Sequence, residues 1–523
     1  MNDTDAEQLL HHGIFMPQLL VHALSRDHDR PAIYLDDGRV LSAGDLRDLT
    51  STYFQALTQL GVGPATRVAI LSRNRPEILY ATSALALTNS CSTPLHPMGS
   101  LDDFAYAVED AGIEVLIFDP MYFQEHAKRL QNRMSGLKLL LAFGPTEVGV
   151  DLAAIAATLT PGALSAPHVQ AEDVCGLMYS GGTTGRPKGI RMTQRCALAT
   201  CQIMLTEWEW PEEIRHLVCS PLSHAGAAVL LPVLMRNGAL VVLPGFEPVA
   251  VMSAIEKFRI TSTLVVPTMI YSLLDHPRFG EFDLTTLETV FYGSSAISPT
   301  RLNDAIARLG PIFFQFYAQT EAPMTVTVLR RGEHTPNDLE RLASCGRPVP
   351  WVQVALLDHA GQPVADGDPG EICVRGPLVA GGYLNKPEQT AEAFAGGWLH
   401  TGDVAIRGKQ GYLRIVDRKK DMIITGGFNV YPREVEDVIA THPAVAMVGV
   451  VGVADEKWGE AVKAVVVLRE GRTVDAATLI ALVREKKGAI QAPKSIDFVA
   501  ALPMSQLGKL DKKGLRERYA DKK

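Results

Sequence analysis

The chain has 523 residues, with 47% hydrophobic and 21% charged positions and a formal net charge of -8. That is too long for one hydrophobic core, so roughly two to four domains of an ordinary globular composition are expected. The acidic balance, with basic residues concentrated only between Lys509 and Lys523, argues against a nucleic-acid partner. The seven scattered cysteines, with no CxxC pair, argue against a disulfide framework or a tightly spaced zinc site.

The opening Met1-Asn-Asp-Thr-Asp-Ala-Glu lacks the basic start and apolar core of a signal peptide. With reduced thiols, this predicts a cytoplasmic protein. Short apolar runs predict strands at Arg67–Leu71, Glu114–Phe118, Leu139–Phe143, Leu240–Leu243 and Thr263–Val266. The stretch from Ile78 to Leu95, broken by Pro94, reads as a buried helix rather than a membrane span. Leu101–Ala111 and Pro248–Phe258 are amphipathic and predict helices between strands. This alternation argues for parallel α/β layers. From Val352 to Val374 the pattern becomes strands joined by turns, which predicts a small antiparallel β subdomain. The charged segment Asp417-Arg-Lys-Lys-Asp421 then reads as a junction and a candidate hinge. Beyond it, strands at Val445–Val453, Ala461–Leu468 and Ile496–Val499, with a helix at Ala476–Lys487, predict a separate α+β unit. The expected division is residues 1–416, a hinge at 417–421, and a small mobile domain at 422–523.

Several segments could carry chemistry. Tyr179-Ser-Gly-Gly-Thr-Thr-Gly-Arg-Pro-Lys-Gly189 alternates glycines with hydroxyls. Such a loop can bring backbone N–H groups, Ser180, Thr183, Thr184 and Lys188 around a polyphosphate. It is not a Walker A loop, because Lys188 precedes glycine rather than Ser or Thr. Tyr317-Ala-Gln-Thr-Glu321 follows the apolar strand Ile312–Phe316, and a carboxylate beside a hydroxyl there suits Mg²⁺ and a phosphate oxygen. Alone, Thr-Glu after a strand is more often a helix cap. Trp398-Leu-His-Thr-Gly-Asp403 places an acid after a glycine turn, where it could hold ribose hydroxyls. Pro503-Met-Ser-Gln-Leu-Gly-Lys-Leu510 places Lys509 on a loop.

In their order and spacing these segments, with Tyr292–Ala296, Gly381–Tyr383, Pro387 and Tyr412–Glu436, resemble the AMP-forming acyl- and aryl-CoA synthetases of the adenylate-forming superfamily. The resemblance runs from about Arg30 to Tyr519. It implies an α/β fold, with a large N-terminal domain of α/β layers plus a small β-barrel subdomain, and a mobile α+β C-terminal domain. It also implies ATP, Mg²⁺ and coenzyme A as the small molecules used. By the same resemblance Ser180, Thr183, Thr184 and Lys188 hold the ATP phosphates. Gly293, Ser294 and Ser295 run along the adenine, Tyr317 stacks on it, and Ala318 and Ile415 complete the nucleotide site. Thr320 contacts the α-phosphate, Glu321 and Thr183 serve Mg²⁺, and Asp403 with Arg418 holds the ribose. Lys509 bridges carboxylate and α-phosphate. Lys420 is the hinge, and Gly426 and Gly427 line the pantetheine tunnel. His224, Ala225, Gly293 and Ala318 form the acyl pocket, with His224 at a gating position.

Two departures stand out. Ser180 and Gly181 replace Thr and Ser, and Ala318 replaces a glycine that commonly lines the acyl pocket. Ala225 falls where amino-acid-activating relatives carry an aspartate. An α-ammonium there would be buried unpaired, so the expected substrate is a fatty, alicyclic or aromatic acid. The alternatives weighed are an enzyme that loads acyl groups onto a carrier protein or stops at acyl-AMP, and an oxidative luciferase-like enzyme. The oligomeric state, including a homodimer, is left open.

Overall fold

A computed structural model describes residues 13–180, 187–419, 421–426, 428–455, 458–504 and 510–520. Thr183, Thr184, Lys420, Gly427 and Lys509 lie outside the described residues, as does the side chain of Ser180.

Two large sheets build the N-terminal part. In the nine-stranded sheet, Phe313–Gln319, Thr289–Tyr292, Ser262–Val265, Arg215–Val218, Ala239–Val242 and Pro31–Tyr34 run parallel side by side, with antiparallel strands at both edges. In the seven-stranded sheet, Leu139–Ala142, Val115–Phe118, Arg67–Leu71, Cys91–Leu95 and Val174–Ser180 are parallel. Lys188–Thr193 pairs antiparallel with Val174–Ser180, so the glycine-rich segment connects the edge strand with its neighbour. The expected strands thus occur within a residue or two of their predicted ends.

The helices are equally local in origin. Leu101–Ala111 starts at Ser100, whose hydroxyl accepts from Asp103 N–H while Asp103 caps back, and it ends at Gly112 with φ +60. Pro248–Phe258 starts with proline after Glu247, whose carboxylate accepts from Val249 and Ala250 N–H.

One expectation is corrected. Ile78 to Leu95 is not a single helix: Glu77–Leu87 is helical and Cys91–Leu95 is a strand. The strand pairs with Arg67–Leu71 along its length but with Val174–Ser180 only at Ser92. Pro94 therefore lies beyond the second ladder, where a missing N–H costs no sheet bond.

Beneath the nine-stranded sheet, Trp208 packs on Phe291 and Phe316 at centroid distances of 4.4 and 5.1 Å, and Trp210 on Phe291 at 4.8 Å. The Trp208 indole donates to Thr325 Oγ1 at 2.9 Å. These rings form a rigid floor under the strand that carries Tyr317.

A four-stranded antiparallel sheet follows: Gln353–Leu357, Pro369–Arg375, Leu399–Arg407 and Leu413–Arg418. The C-terminal part begins its own five-stranded sheet at Ile423, with Phe428–Val430, Val445–Asp455, Gly459–Leu468 and Ser495–Phe498. The helices Pro432–Ile439, Ala476–Lys487 and Lys512–Ala520 belong to this smaller unit.

Candidate functional site

One cavity of about 2360 Å³ lies where the two large sheets and the four-stranded sheet meet. Lys188, Ser294, Ser295, Tyr317, Ala318, Thr320, Glu321, Asp403, Ile415, Arg418, His224 and Ala225 all line it. Residues far apart in sequence thus converge on one space.

The strand Phe313–Gln319 carries Tyr317 and Ala318 into the wall. Gln319 then pairs with Ala322, so Thr320 and Glu321 form the two-residue tip of a β-hairpin rather than a helix cap. Opposite stands the strand Leu399–Arg407. Its register against Pro369–Arg375 shifts between Glu371 and Cys373, so Thr401–Asp403 bulges out, and Gly402 takes φ +71. Asp403, 6% exposed, is presented by this bulge.

The Asp403 carboxylate is the hub. Tyr317 O–H and Gln319 Nε2 each donate to its Oδ2 at 2.7 Å, and Arg418 Nε stands 3.3 Å from Oδ1. Burial, then the nearby Asp403 charge, pushes the Tyr317 phenol well above its ordinary range. Burial alone would lower the Arg418 guanidinium, but Asp403 and Asp421 overcome it and its pKa is raised. Arg418 therefore stays charged.

Behind the bulge, Glu371 accepts from Gly402 N–H at 2.9 Å and faces His400 Nδ1 at 3.1 Å and Lys419 Nζ at 3.4 Å. Burial opposes its charge, but these three partners outweigh burial and hold its pKa below the ordinary carboxylate value. Cys373 adds a thiol 3.4 Å from His400 Nδ1. Glu371, Cys373 and His400 bring their ligand atoms within 4.8 Å. Lys419 already supplies a positive charge there.

At the other end, Tyr383 O–H donates to Glu321 Oε1 at 2.8 Å, and Lys188 Nζ sits 4.5 Å from the centre of the Tyr383 ring. Arg191 N–H donates to Gly382 O and Leu384 N–H to Gly189 O, which ties the Gly381–Tyr383 motif to the strand after the glycine-rich segment. Glu321 has one oxygen engaged by tyrosine, and it is a hard oxygen ligand facing the cavity, so the donor set fits Mg²⁺. Ser294 lines the cavity with φ +66, a left-handed backbone that a non-glycine residue adopts only under constraint.

Gly293 is absent from the cavity wall. A Cβ there would meet Phe316 O at 2.5 Å, so glycine lets two neighbouring strand ends approach. Gly426 also lies off the wall; it takes φ +58, and a Cβ would meet the Trp458 ring at 2.7 Å.

The cavity wall also includes the apolar Ala225, Ala227, Ala228, Leu230, Leu231 and Leu264. His224 is held there by Ser223 Oγ at 3.0 Å and an edge contact to His96 at 5.0 Å. Burial pushes the His96 pKa down and favours its neutral ring. The seven cysteines are free, and burial raises every thiol, to about 11 for Cys91 and Cys219 and about 12 for the others. Protonated, buried thiols are poor nucleophiles.

Tyr383, Gln319 and Glu371 are the contributors that sequence reasoning assigned no role. Tyr383 stood within a quoted motif; nothing in sequence links Glu371 to Gly402 or Lys419. Among the described residues no helix is long and apolar enough to cross a membrane.

Residues 20–384 match the AMP-binding enzyme family, and residues 434–509 match the AMP-binding enzyme C-terminal domain. The chain is 50% identical over 533 residues to the medium/long-chain-fatty-acid–CoA ligase FadD8 of Mycobacterium tuberculosis, covering 99% of this chain and 93% of that one. It is 37% identical over 484 residues to a feruloyl-CoA synthase of Amycolatopsis sp, covering 92% and 94%. Its fold is similar to that of the amide bond synthetase McbA from Marinactinospora thermotolerans, with a TM-score of 0.89, 31% identity, and coverage of 97% and 100%.

Proposed function

This chain belongs to the AMP-binding enzyme family, and we infer that it is an ATP-dependent carboxylic acid–CoA ligase whose acid is a medium- to long-chain fatty acid. In the first half-reaction a carboxylate oxygen attacks the α-phosphorus of ATP, and pyrophosphate leaves. In the second, the CoA sulfur attacks the acyl carbon, its proton is lost, and AMP leaves with the electron pair of the broken C–O bond.

The observation that carries this reading is one continuous cavity whose wall brings together charged side chains, Lys188, Glu321, Asp403 and Arg418, and apolar ones, Ala227, Ala228, Leu230 and Leu231. Asp403, held by Tyr317, Gln319 and Arg418, presents acceptors for the ribose hydroxyls. Lys188 and Thr320 face the phosphates. Glu321 would hold Mg²⁺, which supplies charge neutralisation on the phosphates. Lys509, on the C-terminal segment, supplies the cation between carboxylate and α-phosphate. The wall formed by Ala227, Ala228, Leu230 and Leu231 suits an alkyl chain, which gains roughly 0.8 kcal/mol per buried methylene. The identity to the fatty-acid ligase supports the same chain class. The raised cysteine pKa values support a mechanism without a protein nucleophile, and the free thiols support a cytoplasmic setting.

The test is hydroxylamine trapping of acyl-adenylate with ATP and Mg²⁺ across octanoate, laurate, palmitate, ferulate and an α-amino acid, each with and without CoA. Fatty acids should give hydroxamate without CoA and thioester with it. Activation of ferulate alone would overturn the fatty-acid assignment. Hydroxamate without any thioester would overturn CoA as the acceptor.

A further inference from the structure

The junction between the four-stranded sheet and the C-terminal unit contains a buried ion pair that no step above uses. Asp417, 6% exposed, is the residue before Arg418 and belongs to the strand Leu413–Arg418. Its Oδ2 lies 3.3 Å from Lys512 Nζ and accepts from Arg433 N–H at 3.0 Å. Lys512 Nζ also stands 3.0 Å from Glu436 Oε1, and that oxygen accepts from Val450 N–H. Lys512, Arg433 and Glu436 all belong to the C-terminal unit; Asp417 does not. A second contact spans the same boundary: Arg433 Nη2 donates to Ile297 O at 2.7 Å, one residue beyond the cavity-lining Ala296.

The charges are unequal in their dependence on orientation. Lys512 and Glu436 would move together about the junction, so their pair survives any rotation. Asp417 stays behind. In another orientation it would lose the Lys512 cation and the Arg433 backbone donor while remaining part of the sheet. A buried carboxylate stripped of its cation is costly, so this pair favours the orientation seen here over others. The sequence position gives this a direction. Lys512 opens the helix Lys512–Ala520, three residues after Lys509, and Asp417 adjoins the arginine that faces Asp403. Holding Lys512 on Asp417 therefore fixes the segment that carries Lys509 relative to the ribose end of the cavity.

We propose that Lys512 and Asp417 are positioning residues for acid activation: their ion pair latches the C-terminal unit in the orientation that serves the first half-reaction and is released for the second. This rests on the two-step reading above. The experiment therefore begins with wild-type protein, in which both half-reactions must be measurable with a fatty acid; absence of either sinks that reading, not the latch.

Asp417→Asn, Lys512→Met and the double variant are then compared in pyrophosphate release and in thioester formation from supplied acyl-AMP. Loss of an orientation-selective contact acts as a population shift, so each single variant should slow pyrophosphate release about 10-fold or more. The KM for ATP should change little, and thioester formation should hold or rise. The double variant should be no slower than the worse single one, because both remove the same contact. Lys512→Arg keeps the cation and should stay near wild type, which guards against misreading a folding defect; thermal unfolding of each variant provides the second guard. Equal loss of both half-reactions, multiplicative effects in the double variant, or unchanged pyrophosphate release would each overturn the latch.

Discussion

Replacing Asp403 by asparagine tests the nucleotide end of the cavity most sharply. A carboxylate is an acceptor with about four lone-pair sites. Tyr317 and Gln319 share Oδ2, and Arg418 faces Oδ1, so acceptor capacity remains on Oδ1 for a ribose hydroxyl. Asparagine keeps the shape but turns one side into a donor. That NH₂ must face either the Tyr317 and Gln319 donors or the Arg418 guanidinium, and the charge is lost in both cases. One charge-assisted hydrogen bond contributes about 1.5–3 kcal/mol, so kcat/KM for ATP should fall about 10- to 150-fold. The assay is steady-state pyrophosphate release with ATP and with 2′-deoxy-ATP. Wild type should discriminate against the deoxynucleotide, and the variant should discriminate much less. If the variant loses activity but keeps the wild-type ratio between the two nucleotides, Asp403 does not hold the ribose and the argument from its hydrogen bonds is wrong.

Other changes probe the remaining parts. Glu321→Ala should lose most Mg²⁺–ATP turnover, and circular dichroism should show an unchanged fold, because the residue sits at a hairpin tip; full activity would remove it from the site. Ala318→Gly should broaden acceptance toward bulkier acids, read as kcat/KM across an acid panel, and an unaltered profile would mean that Ala318 does not face the acyl group. Lys509→Ala should abolish acyl-AMP formation yet still convert supplied acyl-AMP to thioester, whereas Lys420→Pro, by fixing φ at the pivot, should leave adenylation and block thioester formation. Two folded variants that lose both half-reactions equally would mean that one fixed arrangement does all the chemistry.

What could be read from sequence follows from what is local. Leu101–Ala111 and Pro248–Phe258 carry their caps within a few residues, so their ends were legible. The helix–strand break inside Ile78–Leu95 was not, because both halves are buried and apolar and hydrophobic periodicity alone does not separate them. Likewise Thr320-Glu321 looked like a cap because nothing local in the sequence shows that Ala322–Leu329 folds back on Phe313–Gln319. The motifs identified the cavity's residues individually. Their mutual geometry was invisible: Tyr383 meets Glu321 across 62 positions and Tyr317 meets Asp403 across 86. Gly293, expected along the adenine and in the acyl pocket, instead packs closely on Phe316, which no local sequence signal announces.

The aromatic floor beneath Tyr317 also makes the molecule its own optical probe. Of five tryptophans, Trp208 and Trp210 are buried in that floor, while Trp458 is part-exposed in the C-terminal unit beside Gly426. Stacked, rigid indoles give strong near-ultraviolet circular dichroism, and a half-exposed indole emits at longer wavelength and is open to quenchers. Acrylamide should therefore silence the red part of the emission first. The blue part, from rings one residue away from the nucleotide wall, should respond to ATP. Because Trp351 is also exposed, its replacement by phenylalanine leaves two signals that follow nucleotide arrival and the surroundings of the smaller unit separately, during a single turnover.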